Sequence, residues 1–540
     1  MLLAFGLFNA KETLMHSDNV KSSTVAPHTG HPPALRTLFL TEMWERFSFY
    51  GLRPLLVLFM SAALAERGFG FDRTQASAIV GIYAASVYLS SLPGGWIADR
   101  LLGLRRAILY GALLIAAGHI SIGFSSFANG KVPFFIGLIL IVFGTGLLKP
   151  NISAIVGELY PEGGSRRDAG FSIFYMGINL GSFAGQLVTG FLGETIGWHW
   201  GFGAAGVGMF VGVIVFATRS KAALGEIGAH PSLDPNPVIR RTQKLRAKAL
   251  ITVGVMLIAL VVILASAGVI TLDPQVMGHY LTYVLVSLAV IYFSYLFIAG
   301  GLDTNEKKRL LVIGVLFVFA AVFWSAFEQA PTSLNLFAKD FTNRTVGSFE
   351  VPAVWFQSVN SAFIIILAPV FALIWTRLGR SGRDLSSPAK FSLGLLFAGV
   401  GFLIMIPAAR IVVSSGGAVK VSAMWLVMSY LFQTFGELCL SPVGLSSMTK
   451  LSPRRYVGQM MGIWFLAAAL GNLIAGLVGG QVDPEKLHQM PQLLNATTAS
   501  LLISGVALGL LTIPIRRLMQ GVGEQRERGV EVLQPQITQI

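Results

Sequence analysis

Charge and cysteine are what this sequence has least of. Of its 540 residues only 12% are Asp, Glu, Lys or Arg, about half the share of a soluble domain, and that excludes a water-soluble globular fold. The one cysteine, Cys439, excludes an intramolecular disulfide and a thiolate metal cluster. There is no paired-histidine metal motif and no nucleophile with a base in a hydrolase-like pattern, so neither a metal site nor an enzyme is expected. Acidic residues are scarce too, 26 against 40 basic. In a soluble protein the net charge of +14 would point to nucleic acid. Here the basic residues have a simpler role, holding loops on one side of a membrane, and no nucleic-acid partner is expected.

Apolar sequence is what remains, 54% of residues with a mean hydropathy of +0.68. Long apolar spans recur at 36–62, 75–98, 106–126, 132–157, 169–192 and 198–217. Two more follow a basic linker, at 250–270 and 279–301, and then six at 309–337, 351–376, 391–413, 421–449, 455–480 and 497–518. Each is long enough to cross a bilayer as a helix. The reading is an all-α polytopic membrane protein of about fourteen transmembrane helices. Arg100, Arg105, Arg106, Arg166, Arg167, Arg240, Arg241, Lys307, Lys308, Arg377, Arg380, Arg454 and Arg455 fall in alternate loops. By the positive-inside rule those loops, and both termini, are cytoplasmic. The chain then divides into a tail (1–35), a six-helix bundle (36–218), a linker with an extra helix pair (219–308), a second six-helix bundle (309–519) and a tail (520–540). Two similar halves with a site between them are the layout of a secondary transporter. The extra pair carries almost no ionisable residue and is expected to pack against lipid.

The first span is the exception to this apolarity. On a helical wheel Glu42, Arg46 and Arg53 lie within roughly 40° of one another, with Glu45 and Tyr50 flanking them. Arg53 stands about 25 Å of helical rise beyond Arg36, too deep to snorkel back to the near side. A charge at mid-membrane costs from about 2.5 to over 10 kcal/mol. These groups therefore face other helices or a wet cavity, and helix 1 is functional.

Gly94-Gly95-Trp96-Ile97-Ala98-Asp99-Arg100, with Gly103, Arg105 and Arg106 after it, resembles the loop signature of the major facilitator superfamily, in which an acidic residue helps latch the cytoplasmic side. Glu42-x-x-Glu45-Arg46-Phe47-x-x-Tyr50-Gly51 looks like the helix 1 hallmark of the proton-coupled oligopeptide transporter family within it. Phe174-Tyr175-Met176-Gly177-Ile178-Asn179 and Phe435-Gly436-Glu437-Leu438-Cys439-Leu440-Ser441-Pro442 are similar to two further signatures of that family. The likeness spans residues 36–518.

The resemblance implies a symporter that imports di- and tripeptides with protons by alternating access. A related carrier of another small anionic or zwitterionic solute, such as nitrate or a peptide-like drug, is the alternative. It implies that Arg53 and Lys149 take the peptide carboxylate and Glu437 the amine. Asn179 and Asn360 would bond its backbone or termini, Ser441 would also touch substrate, and Tyr50, Tyr88, Trp324 and Trp464 would line side-chain pockets. Proton coupling falls to Glu42, Glu45, Arg46, Lys149 and Glu328, and gating to Arg53, Glu328 and Asp99. Mammalian relatives have a proton-handling histidine in helix 2, and this chain has none; His119 in helix 3 is expected to bond between helices. Phe49 and Ser361 depart from common family residues. The short loop between Arg410 and Lys420 leaves no room for the outer domain of mammalian relatives. The expected protein is thus a bacterial inner-membrane monomer that uses the proton as coupling ion and no cofactor.

Overall fold

The computed structural model describes residues 30–126, 130–161, 164–232, 236–453 and 456–519. Most of the expected tail 1–35, all of 520–540, and Arg454 and Arg455 of the basic loops lie outside the described residues. Within them are fourteen helices of more than 20 residues each. The first six are α1 (Ala34–Ser61), α2 (Arg73–Ile97), α3 (Leu104–Phe124), α4 (Lys131–Glu158), α5 (Gly164–Phe191) and α6 (Trp198–Leu224). Next come α7 (Pro237–Ser266) and α8 (Pro274–Ala299). The last six are α9 (Thr304–Phe327), α10 (Trp355–Arg380), α11 (Ser387–Ser414), α12 (Met424–Leu451), α13 (Val457–Gly479) and α14 (Gln489–Met519). Twelve of the spans are long and apolar enough to cross a membrane outright. The other two, α1 and α12, are less apolar because they carry Glu42, Glu45, Arg46 and Arg53 in one case and Gln433 and Glu437 in the other.

Several boundaries differ from the hydropathy reading, for local reasons. Helix α7 starts at Pro237, not near 250, because Asn236 caps it, accepting from Val238 N at 2.9 Å, with proline at the first position. Proline suits that place because its missing N–H has no intrahelical partner there. The basic stretch from Arg240 to Lys248 is therefore helical rather than linker. The expected uninterrupted span 309–337 is broken. Pro331 cannot continue the ladder, and α9 ends at Phe327 with Glu328 as its C-cap. A wide turn, Ala330–Leu334, leads into a short helix, Asn335–Phe341. Beyond it Thr345–Val346 pairs with Phe349–Glu350 in a small antiparallel hairpin, and Thr342–Asn343 pairs with Val421–Ser422. Hydropathy carries no signal for strands this short. At the start of α2, Asp72 accepts from Thr74 N at 2.7 Å and from the Thr74 hydroxyl. Those bonds hold its carboxyl below the ordinary range.

In the first bundle α1 packs on α5 and α6, and α4 packs on α2 and α3. In the second, α11 packs on α12 and α14, and α9 on α13. The bundles meet along two seams, α2 with α13 and α5 with α10. The first seam is backbone on backbone: a Cβ on Gly81 would stand 2.7 Å from Gly476 Cα. Only glycine permits that approach. Helix α8 lies against α13 and α2 through Gly278, Leu285, Ala289 and Leu296, which share one stripe. Most of α7, including Val253, Met256, Leu257 and Leu260, is exposed.

Candidate functional site

The seams leave a cavity of about 140 Å³ between the bundles. It is lined from α1 by Tyr50, Arg53 and Pro54, and from α2 by Tyr88. Helix α5 contributes Tyr175, Ile178, Asn179, Ser182 and Gln186, one stripe at helical spacing. The second bundle adds Trp324, Phe327 and Glu328 from α9, Gln357, Asn360 and Ser361 from α10, and Tyr430, Gln433 and Glu437 from α12.

Helix α1 carries two ion clusters. In the first, Arg46 Nε lies 2.9 Å from Glu42 Oε1 and 2.5 Å from Glu45 Oε2, all three side chains at most 2% exposed. The Arg46 guanidinium also stands 5.4 Å from the Phe49 ring centre. Three charges that deep persist because they neutralise one another in part. The second cluster, about two turns on, joins the bundles. Arg53 Nη2 is 2.7 Å from Glu328 Oε2 and donates to Asn472 Oδ1 of α13 at 2.5 Å. The break in α9 makes this pairing possible, since it leaves Glu328 at a helix end, 7% exposed.

Lys149, followed by Pro150 within α4, puts Nζ 4.3 Å from the Tyr88 ring centre. It is close enough to feel the charges of Arg46, Glu45, Glu42 and Glu328. Across the cavity Asn360 Nδ2 donates to Thr434 Oγ1 at 2.9 Å and to Glu437 Oε2 at 3.4 Å. Asn179 donates to Tyr175 O one turn back, at 3.0 Å. The wall sets Arg53 of the first bundle against Glu328 and Glu437 of the second, with aromatic rings and amides among them, and Lys149 is not on it.

Not every expected site residue reaches the cavity. Trp464 is 5% exposed and packs inside the second bundle, its ring 6.2 Å from that of Phe391 and over Gly444. Ser441, one turn beyond Glu437, is off the cavity wall, and its Oγ is buried without a hydrogen-bond partner among the described residues. Asp99, expected at a cytoplasmic latch and not at the cavity, is exposed in the turn Ala98–Leu102, at the opposite end of α2 from Arg73. His119 bonds between helices, its Nε2 2.5 Å from Ser48 Oγ.

The structure also adds partners. At the end of the molecule beyond Arg53, Asn335 Nδ2 donates to Pro54 O at 2.8 Å and Trp355 Nε1 to Leu187 O at 2.8 Å. Arg73 pairs with Asp340 and donates to Val482 O at 3.1 Å. Glu194 accepts from Val354 N at 2.9 Å, with Lys339 Nζ at 3.5 Å and Arg344 Nη1 at 3.8 Å. All of these cross from one bundle to the other, so this end of the cavity is shut. Sequence reading missed Asn472, Glu194, Gln186, Gln357 and Gln433. The last had a local signal, standing one turn before Glu437 on the same face.

The profile of the POT family matches residues 105–493. The peptide transporter YePEPT of Yersinia enterocolitica is 50% identical, the match covering 92% of this chain and 97% of that one. A di-/tripeptide transporter of Lactococcus lactis is 38% identical over 91% of this chain and 97% of its own length. Among solved structures, that of a peptide transporter POT in complex with sulfate superposes with a TM-score of 0.83. Its sequence is 41% identical, over 92% of this chain and 97% of that one.

Proposed function

This chain belongs to the POT family, a family of membrane transporters rather than enzymes, and from its cavity we infer that it imports di- and tripeptides together with protons by alternating access. The observation that carries the reading is the placing of opposite poles on opposite bundles around one cavity. Arg53 stands on the first bundle and Glu437 on the second, both on the cavity wall, while Lys149 of the first bundle is off the wall, against the Tyr88 ring. A dipeptide is a zwitterion of nearly fixed length, so its carboxylate and amine can engage both bundles at once. Arginine suits the carboxylate by its planar fork and lysine as a point charge.

Alternating access needs contacts between halves that make and break. The Arg53–Glu328 pair is such a contact. Ionised, Glu328 draws the bundles together; protonated, or displaced from Arg53 by a peptide carboxylate, it lets them part. Proton and peptide then act on the same equilibrium, which couples their movement. Glu42, Glu45, Arg46 and Lys149 are proposed to pass the proton. The basic loops support cytoplasmic termini, and the bacterial relatives support a bacterial inner membrane. The working unit is proposed to be a monomer.

Purified protein in liposomes provides the test. Labelled dialanine should accumulate with an inward proton gradient and only equilibrate without one. Accumulation without the gradient refutes proton coupling. Nitrate or a drug-like zwitterion carried in place of any peptide refutes the substrate.

A further inference from the structure

Beyond the charged groups, the shut end of the cavity gathers four neutral polar side chains that the transport reading leaves unused. Gln186 of α5 is 4% exposed, Gln357 of α10 7%, Tyr430 of α12 2% and Gln433 1%. All four line the cavity. Gln186 Oε1, Gln357 Nε2, Tyr430 Oη and Gln433 Oε1 have no hydrogen-bond partner among the described residues. Gln433 donates its amide N–H to Ser429 Oγ at 2.9 Å, which leaves its oxygen as the group to be paired.

Buried polar groups are almost always paired in folded proteins, so four such atoms around one cavity mark a surface made to bond something. They form a mixed set: two carbonyl oxygens to accept, one amide N–H to donate and one hydroxyl to do either. None is charged, and the ion pair on the same cavity, Arg53 with Glu328, already joins opposite charges 2.7 Å apart, although Arg53 Nε has no hydrogen-bond partner among the described residues. A neutral group that both donates and accepts fits best, which means a carboxamide or a hydroxyl. Each glutamine lies outward of a residue proposed to hold the peptide's termini or backbone. Gln433 is one turn, about 6 Å, from Glu437, and Gln357 about 4.5 Å of rise from Asn360.

We propose that Gln186, Gln357, Tyr430 and Gln433 form a neutral side-chain subsite for the residue that bears the substrate's amino terminus, favouring carboxamide and hydroxyl side chains over hydrocarbon ones. This rests on the peptide reading above, with Glu437 holding the amine. The side chain of the first residue leaves the carbon that carries that amine, so it starts about one helical turn from Gln433. A site built to hydrogen-bond a group discriminates strongly against an analogue without it, because its own polar atoms are then left unpaired.

The experiment is competition against labelled dialanine uptake in proton-driven liposomes. The competitors are Gln-Ala, Leu-Ala, Ala-Gln and Ala-Leu, since Gln and Leu are close in shape and differ in hydrogen bonding. Gln-Ala should compete at a concentration at least tenfold lower than Leu-Ala, about 1.4 kcal/mol, while Ala-Gln and Ala-Leu should be close to equal. In Gln433→Leu and in Gln357→Leu the Gln-Ala to Leu-Ala ratio should fall toward one. Where a variant transports poorly, the same ratio is read from the peptide-induced rise in its melting temperature. Equal competition by Gln-Ala and Leu-Ala in the natural protein overturns the proposal, as does a ratio unmoved in both variants. A preference confined to the second residue overturns the assignment to the amino-terminal side chain. Absence of any peptide-inhibited dialanine uptake instead refutes the peptide reading itself.

Discussion

The two ion clusters of α1 lie on one helix, are similarly buried and use the same kinds of side chain, yet they are built for different work. Glu42, Glu45 and Arg46 close on themselves within α1. The cluster travels with the first bundle, and rearranging the bundles need not break it. Arg53 reaches Glu328 and Asn472 on two helices of the other bundle, so its bonds must be broken for that end to open. An internal cluster can store a proton through a cycle, whereas a bridging one can report that proton as movement. Which of these a buried ion pair does depends on where its partner's backbone goes.

Four substitutions test that contrast. The largest effect is expected from Arg53→Gln, which leaves Glu328 buried without its cation. Removing one partner of a buried pair costs about 3–5 kcal/mol, here taken from the shut conformation. Crosslinking between cysteines at the adjoining ends of α1 and α9 should drop to near background. If Glu42→Gln lowers crosslinking equally, the two clusters are not distinct. Next, Glu45→Gln should abolish proton-driven accumulation, at least tenfold, or about 1.4 kcal/mol, and leave counterflow measurable with crosslinking unaltered. Full accumulation in that variant would remove the internal cluster from the proton path.

Glu437→Gln sharpens the comparison from the substrate side. It keeps the shape and loses the charge, and charge-assisted bonds are roughly twice as strong as neutral ones. Dipeptide affinity should weaken about tenfold, read as the concentration giving half-maximal uptake, with the response to pH retained. An unaltered half-saturation would mean that the amine binds elsewhere. The smallest effect is expected at Leu288 of α8, which is 51% exposed and touches neither cluster. Leu288→Ala should alter the melting temperature in detergent by an amount equivalent to less than about 0.5 kcal/mol and leave uptake alone. A loss of transport there would bring the extra helix pair into the working part of the molecule.

Much of this was legible in the residues themselves. Fourteen spans follow from apolar runs, and the stripe of Glu42, Arg46 and Arg53 follows from a 3.6-residue period. The family resemblance put Arg53 and Glu328 together as gating residues, and the two stand 2.7 Å apart. Asn472 and Glu194 were not legible, because one polar residue in an apolar run says nothing about which helix it faces. Trp464 and Ser441 were misplaced for the same reason: periodicity gives a face of α13 or α12, and only tertiary packing decides whether that face meets the cavity or the bundle interior. The break in α9 could have been read from Pro331, but hydropathy averages across a single proline.

The contact of Gly81 with Gly476 has a consequence for how ligands from outside would perceive this protein. Two bare backbones touching make the shut end a clasp with no slack, so thickness added there acts as a shim. A methyl on Gly81 would have to sit 2.7 Å from Gly476 Cα, so Gly81→Ala penalises the shut conformation and spares one in which α2 and α13 have separated. Apparent affinity scales with the fraction of molecules in the competent shape. A bulky impermeant inhibitor added at that face should therefore bind Gly81→Ala more tightly than the natural protein, although the alanine touches no ligand, while accumulation slows because the return stroke has become uphill. Equal inhibitor affinity in the two proteins would show that the clasp has room to spare.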